Sequence, residues 1–266
     1  MNSFRNHFQT RMWLIALALS VFVAGCGGGG DEPPGISCGS GRLLGADGAG
    51  GNLANLYVLN SATGAVASTI GPIGFAVTGM AVHPTTKVLY GVTGGADPVS
   101  PAFLITIDKA TGAGAAVGDL DPAGTSPVAD ITFTSDGTLY GWFEGSDDLV
   151  TIDLTTGAAT VVADSTIGTS GSGIAASPGD VLFFTGSSDT GPLRTVDRVT
   201  GLTTDVATLN GTSGFPINAL AFSGSTLCGS RLNSPTSELI TINTTTAAIT
   251  VVGPSVDLLD AIVFDN

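Results

Sequence analysis

The sequence repeats itself about every 45 residues, and that period limits the fold more than any single motif does. A phrase of the form apolar-x-apolar-Asp/Asn-x-x-Thr-Gly occurs five times, the last with Ala for Gly: LYVLNSATG ending at Gly64, LITIDKATG at Gly112, LVTIDLTTG at Gly157, LRTVDRVTG at Gly201 and LITINTTTA at Ala247. Successive spacings are 48, 45, 44 and 46 residues. A second phrase lies upstream of each: RLLG at Gly45, VLYG at Gly91, TLYG at Gly141, VLFF at Phe184 and TLCG at Gly229. A third, small and apolar, precedes four of them, in GMAVHP from Gly79, DITFTSDG from Asp130, GIAASPG from Gly173 and ALAFSG from Ala219.

Each unit therefore holds four strand-sized segments. The LVTID run at Leu149 alternates with period two, and Asp-x-x-Thr-Gly is hairpin chemistry, in which Asp accepts from the turn amides and Gly takes φ > 0. SDG at Ser135 to Gly137 joins a first strand to a second. Composition agrees: with 11% charged residues, 6% aromatics and 39 glycines, the chain is poor material for exposed helices and suits short strands and tight turns. Four antiparallel strands per 40 to 50 residues make a propeller blade. The first unit, Gly41 to Ile70, lacks its first strand, and the C-terminal LDAIVF, Leu259 to Phe264, matches it. Joined, they complete a blade. The expected fold is an all-β, five-bladed β-propeller closed by its C-terminal strand. A repeat solenoid is the alternative, and it would leave an unpaired terminal strand.

Ahead of the repeats, residues 1 to 11 carry Arg5 and Arg11 without an acid, and residues 12 to 23 are apolar. Twelve residues are too few to cross a bilayer core of ~30 Å, so the segment reads as a signal peptide. Val23-Ala24-Gly25-Cys26 resembles the bacterial lipobox, which implies lipidation at Cys26, cleavage before it, and a membrane anchor without a transmembrane helix. The next residue, Gly27, is not the Asp that retains many such proteins at the inner membrane, so the resemblance favours the outer membrane. The expected organisation is a signal peptide over 1–25, a lipidated cysteine with a Gly-rich tether over 26–37, and the propeller over 38–266.

The whole chain has a net charge of −14. Loss of Arg5 and Arg11 leaves a body at −16, with six cations against 22 acids, and phosphate-binding surfaces need the opposite sign. Nucleic acid is excluded as a partner. His83 is the one histidine outside the signal segment, in a turn, and there is no Cys-x-x-Cys, His-Glu-x-x-His, Walker or Gly-x-Ser-x-Gly pattern. Cys38 and Cys228 form an even pair for an oxidising compartment and are a candidate disulfide; two unrelated core thiols are the alternative.

Carboxylates remain, and blade geometry places 13 of the 22 on or near one face, here called the top, where strand two turns to strand three and strand four passes to the next blade. Such a face suits a cation or a polyhydroxyl ligand, and it also serves solubility. The residues expected at the channel mouth are Thr78, Asp130, Ser172, Asn218 and Asp260. Asp130 and Asp260 form the candidate acid-base pair. Asp119, Asp121 and Asp130 partly match a calcium loop, which fails at Ala123 and equally fits an Asp-Pro-x-Gly turn. Trp142, beside the Glu144 to Asp148 loop, is either a sugar platform or blade packing.

The repeats resemble those of secreted bacterial β-propellers of the broad NHL, YVTN and quinoprotein-like kind. That resemblance covers nearly all of Gly41 to Asn266 and is silent on function. The expectation is a lipid-anchored envelope protein whose propeller is a non-catalytic binding or scaffold surface. Five-bladed glycosidases use carboxylates at this mouth, so a carbohydrate-active enzyme is one alternative. An outer-membrane assembly factor is another, although that family has more blades.

Overall fold

The computed structural model describes residues 36–121, 127–165, 167, 171–233 and 235–266. Among them, twenty strands form five antiparallel four-stranded sheets. The first blade holds β1 (Arg42–Ala46), β2 (Asn55–Leu59) and β3 (Val66–Pro72), and the second β4 (Val77–Val82), β5 (Leu89–Thr93), β6 (Phe103–Ile107) and β7 (Gly114–Asp119). The third comprises β8 (Val128–Phe133), β9 (Leu139–Phe143), β10 (Asp148–Ile152) and β11 (Ala159–Asp164). The fourth comprises β12 (Gly171–Ala176), β13 (Leu182–Gly186), β14 (Pro192–Val196) and β15 (Thr203–Thr208). The fifth comprises β16 (Ile217–Ser223), β17 (Thr226–Asn233), β18 (Thr236–Ile242) and β19 (Ile249–Pro254). The last strand, β20 (Ala261–Asp265), pairs with β1 from Arg42↔Asp265 to Ala46↔Ala261 and is the missing inner strand of the first blade. Inner strands β4, β8, β12, β16 and β20 pack on one another in a closed ring. The five blades and their closure are those the repeat and the chain ends imply.

The apolar residues collect into five separate clusters, one between each pair of neighbouring blades. Side chains on a strand alternate between faces, so consecutive residues serve different neighbours. Leu43 packs toward the fifth blade and Leu44 toward the second. Both faces of every inner sheet are buried, which explains near-continuous apolar runs such as LYGWF.

At the bottom face the repeated phrase does what its chemistry suggests. Asp108, Asp153 and Asp197 each accept from the amides two and three residues on, at 2.7 to 2.9 Å. These bonds hold the carboxyls below their usual range. Asn243 accepts in the same way, and Asn60 Oδ1 accepts from Ala62 N, two residues on. His83, in a different turn, substitutes Nδ1 for the carboxylate, accepting from Thr85 and Thr86 while its ring lies 5.0 Å from that of Phe133.

The turn glycines also touch the neighbouring blade. Gly157 has φ +81°, and a methyl there would lie 2.6 Å from the Gly118 carbonyl carbon and 2.8 Å from its Cα. Gly112 meets Gly71 and Gly64 meets Gly253 in the same manner. Gly74 has a similar φ of +85° but open space around it. Gly157→Ala is therefore expected to cost about 3 kcal/mol, left-handed strain plus overpacking, against about 1 kcal/mol for Gly74→Ala. Equal losses in urea melts of the two variants would show that the blade contact contributes nothing.

Candidate binding site at the channel mouth

Each inner strand starts at the top face. Strand pairing sets Met80, Ile131, Leu220 and Ile262 opposite Gly91, Gly141, Gly229 and Gly45, with Ile174 opposite Phe184. Two positions earlier in the sequence stand Thr78, Ala129, Ser172, Asn218 and Asp260. Thr78, Ala129, Asn218 and Asp260 line an open cavity of about 400 Å³ at the mouth. Ser172 holds the same register, and its side chain lies outside the described residues. Thr78 Oγ donates to Val128 O of the next blade at 3.0 Å. Asn218 Nδ2 donates to Asp260 Oδ1 at 2.5 Å.

Asp130 is not a mouth residue. It sits one position further along, where its equivalents are Gly79, Gly173, Ala219 and Ala261. The β8–β9 pairing is shifted between Val128 and Ile131, and a one-residue step along a strand sends a side chain to a different face. The Asp130 carboxylate is fully buried. Its Oδ1 accepts from Ile131 N at 2.9 Å, and its Oδ2 accepts from Ile174 N and Leu220 N, both at 3.1 Å. One side chain thus joins β8, β12 and β16. Burial pushes its carboxyl well above the usual range, the three amides oppose this, and Asp260 adds a smaller upward push. With both oxygens occupied and no solvent access, Asp130 presents nothing to a ligand, and the Asp130–Asp260 acid-base pair loses a member.

The acid whose charge acts on Asp260 is Glu144. It follows β9 and lines the same cavity, as do Gly94 and Leu232, each three residues beyond the glycine of the second repeated phrase. That shared offset was the available signal for Glu144. Asp260 is 8% exposed. Burial raises its carboxyl to about 7, against the bond from Asn218 and with help from the Glu144 charge. Partial burial raises Glu144 as well.

These shifts give stability a definite pH dependence. Between the unfolded carboxyl value near 4 and the folded value near 7, the native state holds a proton on Asp260 that the unfolded chain has released. Stability therefore falls as pH rises through that window, by about 4 kcal/mol from Asp260, and Asp130 acts in the same direction. Below pH ~4, protonation of the depressed turn carboxyls, Asp136 at about 2 among them, lowers stability again. Denaturant melts should place the maximum between roughly pH 4 and 5. Asp260→Asn should flatten the slope toward pH 8; an unchanged slope in that variant would assign the effect elsewhere.

Several other top-face acids bind within the protein. Asp47 accepts from Asn55 N and the Tyr57 hydroxyl, at 2.6 and 2.8 Å. Asp97 takes the amides of Ala76, Val99 and Ser100. Asp189, wholly buried, takes Gly214 N and Arg231, and Arg231 also pairs with Glu238. Sequence position places all of these on or near the top face and is silent on the partners that hold them there.

Asp119 ends the outer strand β7 and accepts from Asp121 N at 2.9 Å. Asp130, on the inner strand of the next blade, is not brought to them; residues 122–126 lie outside the described set. Among the described residues, no group of three or more His, Cys, Asp or Glu is placed to hold a metal ion. Trp142 is fully buried and stacks on Phe184 at 4.1 Å, bridging the third and fourth blades. It is packing and forms no platform at the mouth. Cys38 and Cys228 are buried, unbonded thiols in one cluster. Cys26 lies outside the described residues, and no helix among those described is long and apolar enough to cross a membrane.

No protein-family model matches the chain, and no curated protein does. Solved structures do. A chain from a nidogen/laminin complex aligns with a TM-score of 0.57 at 14% identity, over 85% of this chain and 99% of its own length. A Bacteroides thetaiotaomicron structural-genomics protein of unknown function aligns with a TM-score of 0.51 at 14% identity, over 67% of this chain. The match spans 51% of that protein. At this identity the likeness is one of fold alone. The protein is a five-bladed β-propeller.

Proposed function

We propose that this protein is a lipid-anchored envelope protein whose propeller holds a neutral, polyhydroxyl ligand at the channel mouth, without transforming it. The observation that carries the reading is where the cavity opens. It lies on the top face, whereas the lead-in to β1 sits at the bottom, Cys38 N donating to Ser61 O in the β2–β3 turn. Within the described residues, the chain thus enters the propeller at the end opposite the cavity. The chemistry favours hydroxyl groups over a metal: Asp260, Glu144 and Asn218 supply hydrogen-bond acceptors, and exposed loop glycines let a ligand approach backbone. The nidogen/laminin likeness concerns a propeller taken from a complex, which agrees with a binding role and carries no ligand identity.

Titration calorimetry of the full chain with envelope-type oligosaccharides, set against calcium chloride, tests the ligand. Oligosaccharide heat that Asn218→Ala and Glu144→Gln abolish supports the reading; calcium heat alone, or none at all, overturns it. The anchor is tested separately, since Cys26→Ser should move the protein from the membrane to the soluble fraction.

A further inference from the structure

We infer that Cys38 and Cys228 are a disulfide site that staples the lead-in segment across the junction of the first and last blades. They are the two cysteines of residues 36–266. Both are wholly buried in the cluster between the first and fifth blades. Cys228, on β17, donates from Sγ to the Cys38 carbonyl at 3.4 Å, and Cys38 Sγ donates to Ile240 O at 3.4 Å. Burial, and then Cys38 itself, push the Cys228 thiol upward.

The surroundings explain why a covalent link belongs here. The lead-in has no strand partner, yet it wedges between two blades. Ser61 Oγ of the first blade donates to Gly39 O at 2.8 Å, and Ser223 Oγ of the fifth donates to Ser40 O at 2.6 Å. A methyl on Gly39 would lie 2.6 Å from Ser223 Oγ, so the segment admits no bulk. Cys38–Cys228 would close a loop containing most of the ring and leave β18, β19 and β20 outside it.

Formation of the bond takes two electrons and two protons from the thiols and reduces a disulfide-bearing oxidant to its two thiols. Buried thiols react poorly, so the bond forms during folding and resists both oxidant and reductant afterwards.

The test refolds the full chain carrying Cys26→Ser, which leaves Cys38 and Cys228 as its two thiols, in oxidised and reduced glutathione. Expected are an intact mass lower by about 2 Da, no titratable thiol between Cys38 and Cys228 after denaturation, and a non-reduced peptide joining them. The melting temperature should fall by roughly 10 °C when the bond is reduced before folding. Cys38→Ser with Cys228→Ser should melt at the reduced value and ignore reductant. Two free thiols after oxidative refolding, disulfide-linked dimers, or a lower melting temperature in the oxidised form would each overturn the site. The outcome is independent of the mouth and its ligand.

Discussion

Removal of residues 261–266 should abolish cooperative unfolding and send the protein to the insoluble fraction or to a broad, early-eluting peak on gel filtration. The deleted strand supplies Ala261, Ile262, Val263 and Phe264, none more than 8% exposed. At about 1.5–3 kcal/mol for each large side chain, its burial alone is worth roughly 5–9 kcal/mol, comparable to the whole margin of about 5–15 kcal/mol that holds a domain folded. The loss is also topological. Without β20, strand β1 exposes an unpaired edge, and β4 and β16 lose the neighbour between them. Unpaired edges of this length recruit other chains. A truncated chain that still gave one sharp calorimetric transition would show that the first blade stands on three strands.

Asp130→Ala should be the most damaging single substitution in the channel, lowering stability by about 5 kcal/mol and the melting temperature by roughly 10–20 °C. The reason is the count of amides left behind. Ile131, Ile174 and Leu220 would each keep a buried N–H without its acceptor, at about 1–3 kcal/mol apiece. Asp130→Asn retains one oxygen, which can serve Ile174 and Leu220 while its amide faces Ile131. It should fall between the parent and Ala, at about 2 kcal/mol. Urea melts of the three proteins decide the matter. A ligand-binding Asp130 would give the reverse pattern, with stability within about 0.5 kcal/mol of the parent and binding lost.

Asp130 also marks how far the sequence could be read. The blade number, the turns and the closing strand were legible because each depends on local chemistry repeated five times: an Asx acceptor, a glycine at φ > 0, an alternation of period two. Thr78, Asn218 and Asp260 were legible as mouth residues for the same reason. Asp130 was placed among them because it begins a repeated phrase. Aligning the apolar residue behind it, Ile131 with Met80 and Leu220, would have put it where the other blades carry Gly or Ala. What no alignment could supply is its role, since the acceptor and its farthest donor, Leu220, are 90 residues apart. The same limit applies to Asp189, whose partner Arg231 belongs to the next blade, and to Trp142, whose stacking partner Phe184 does too. A propeller repeats within a blade, but the fate of a carboxylate is settled between blades.

Five cores and no common centre have a kinetic consequence. In an open array of repeats, the end unit leaves by breaking one interface, and unfolding proceeds from the ends. Here every blade, the first included, lies between two apolar clusters. No blade can detach without breaking two of them together, and the first must also part β20 from β1. The ring therefore lacks a fraying end, and its native-state lifetime is set by a barrier larger than the loss of any one interface.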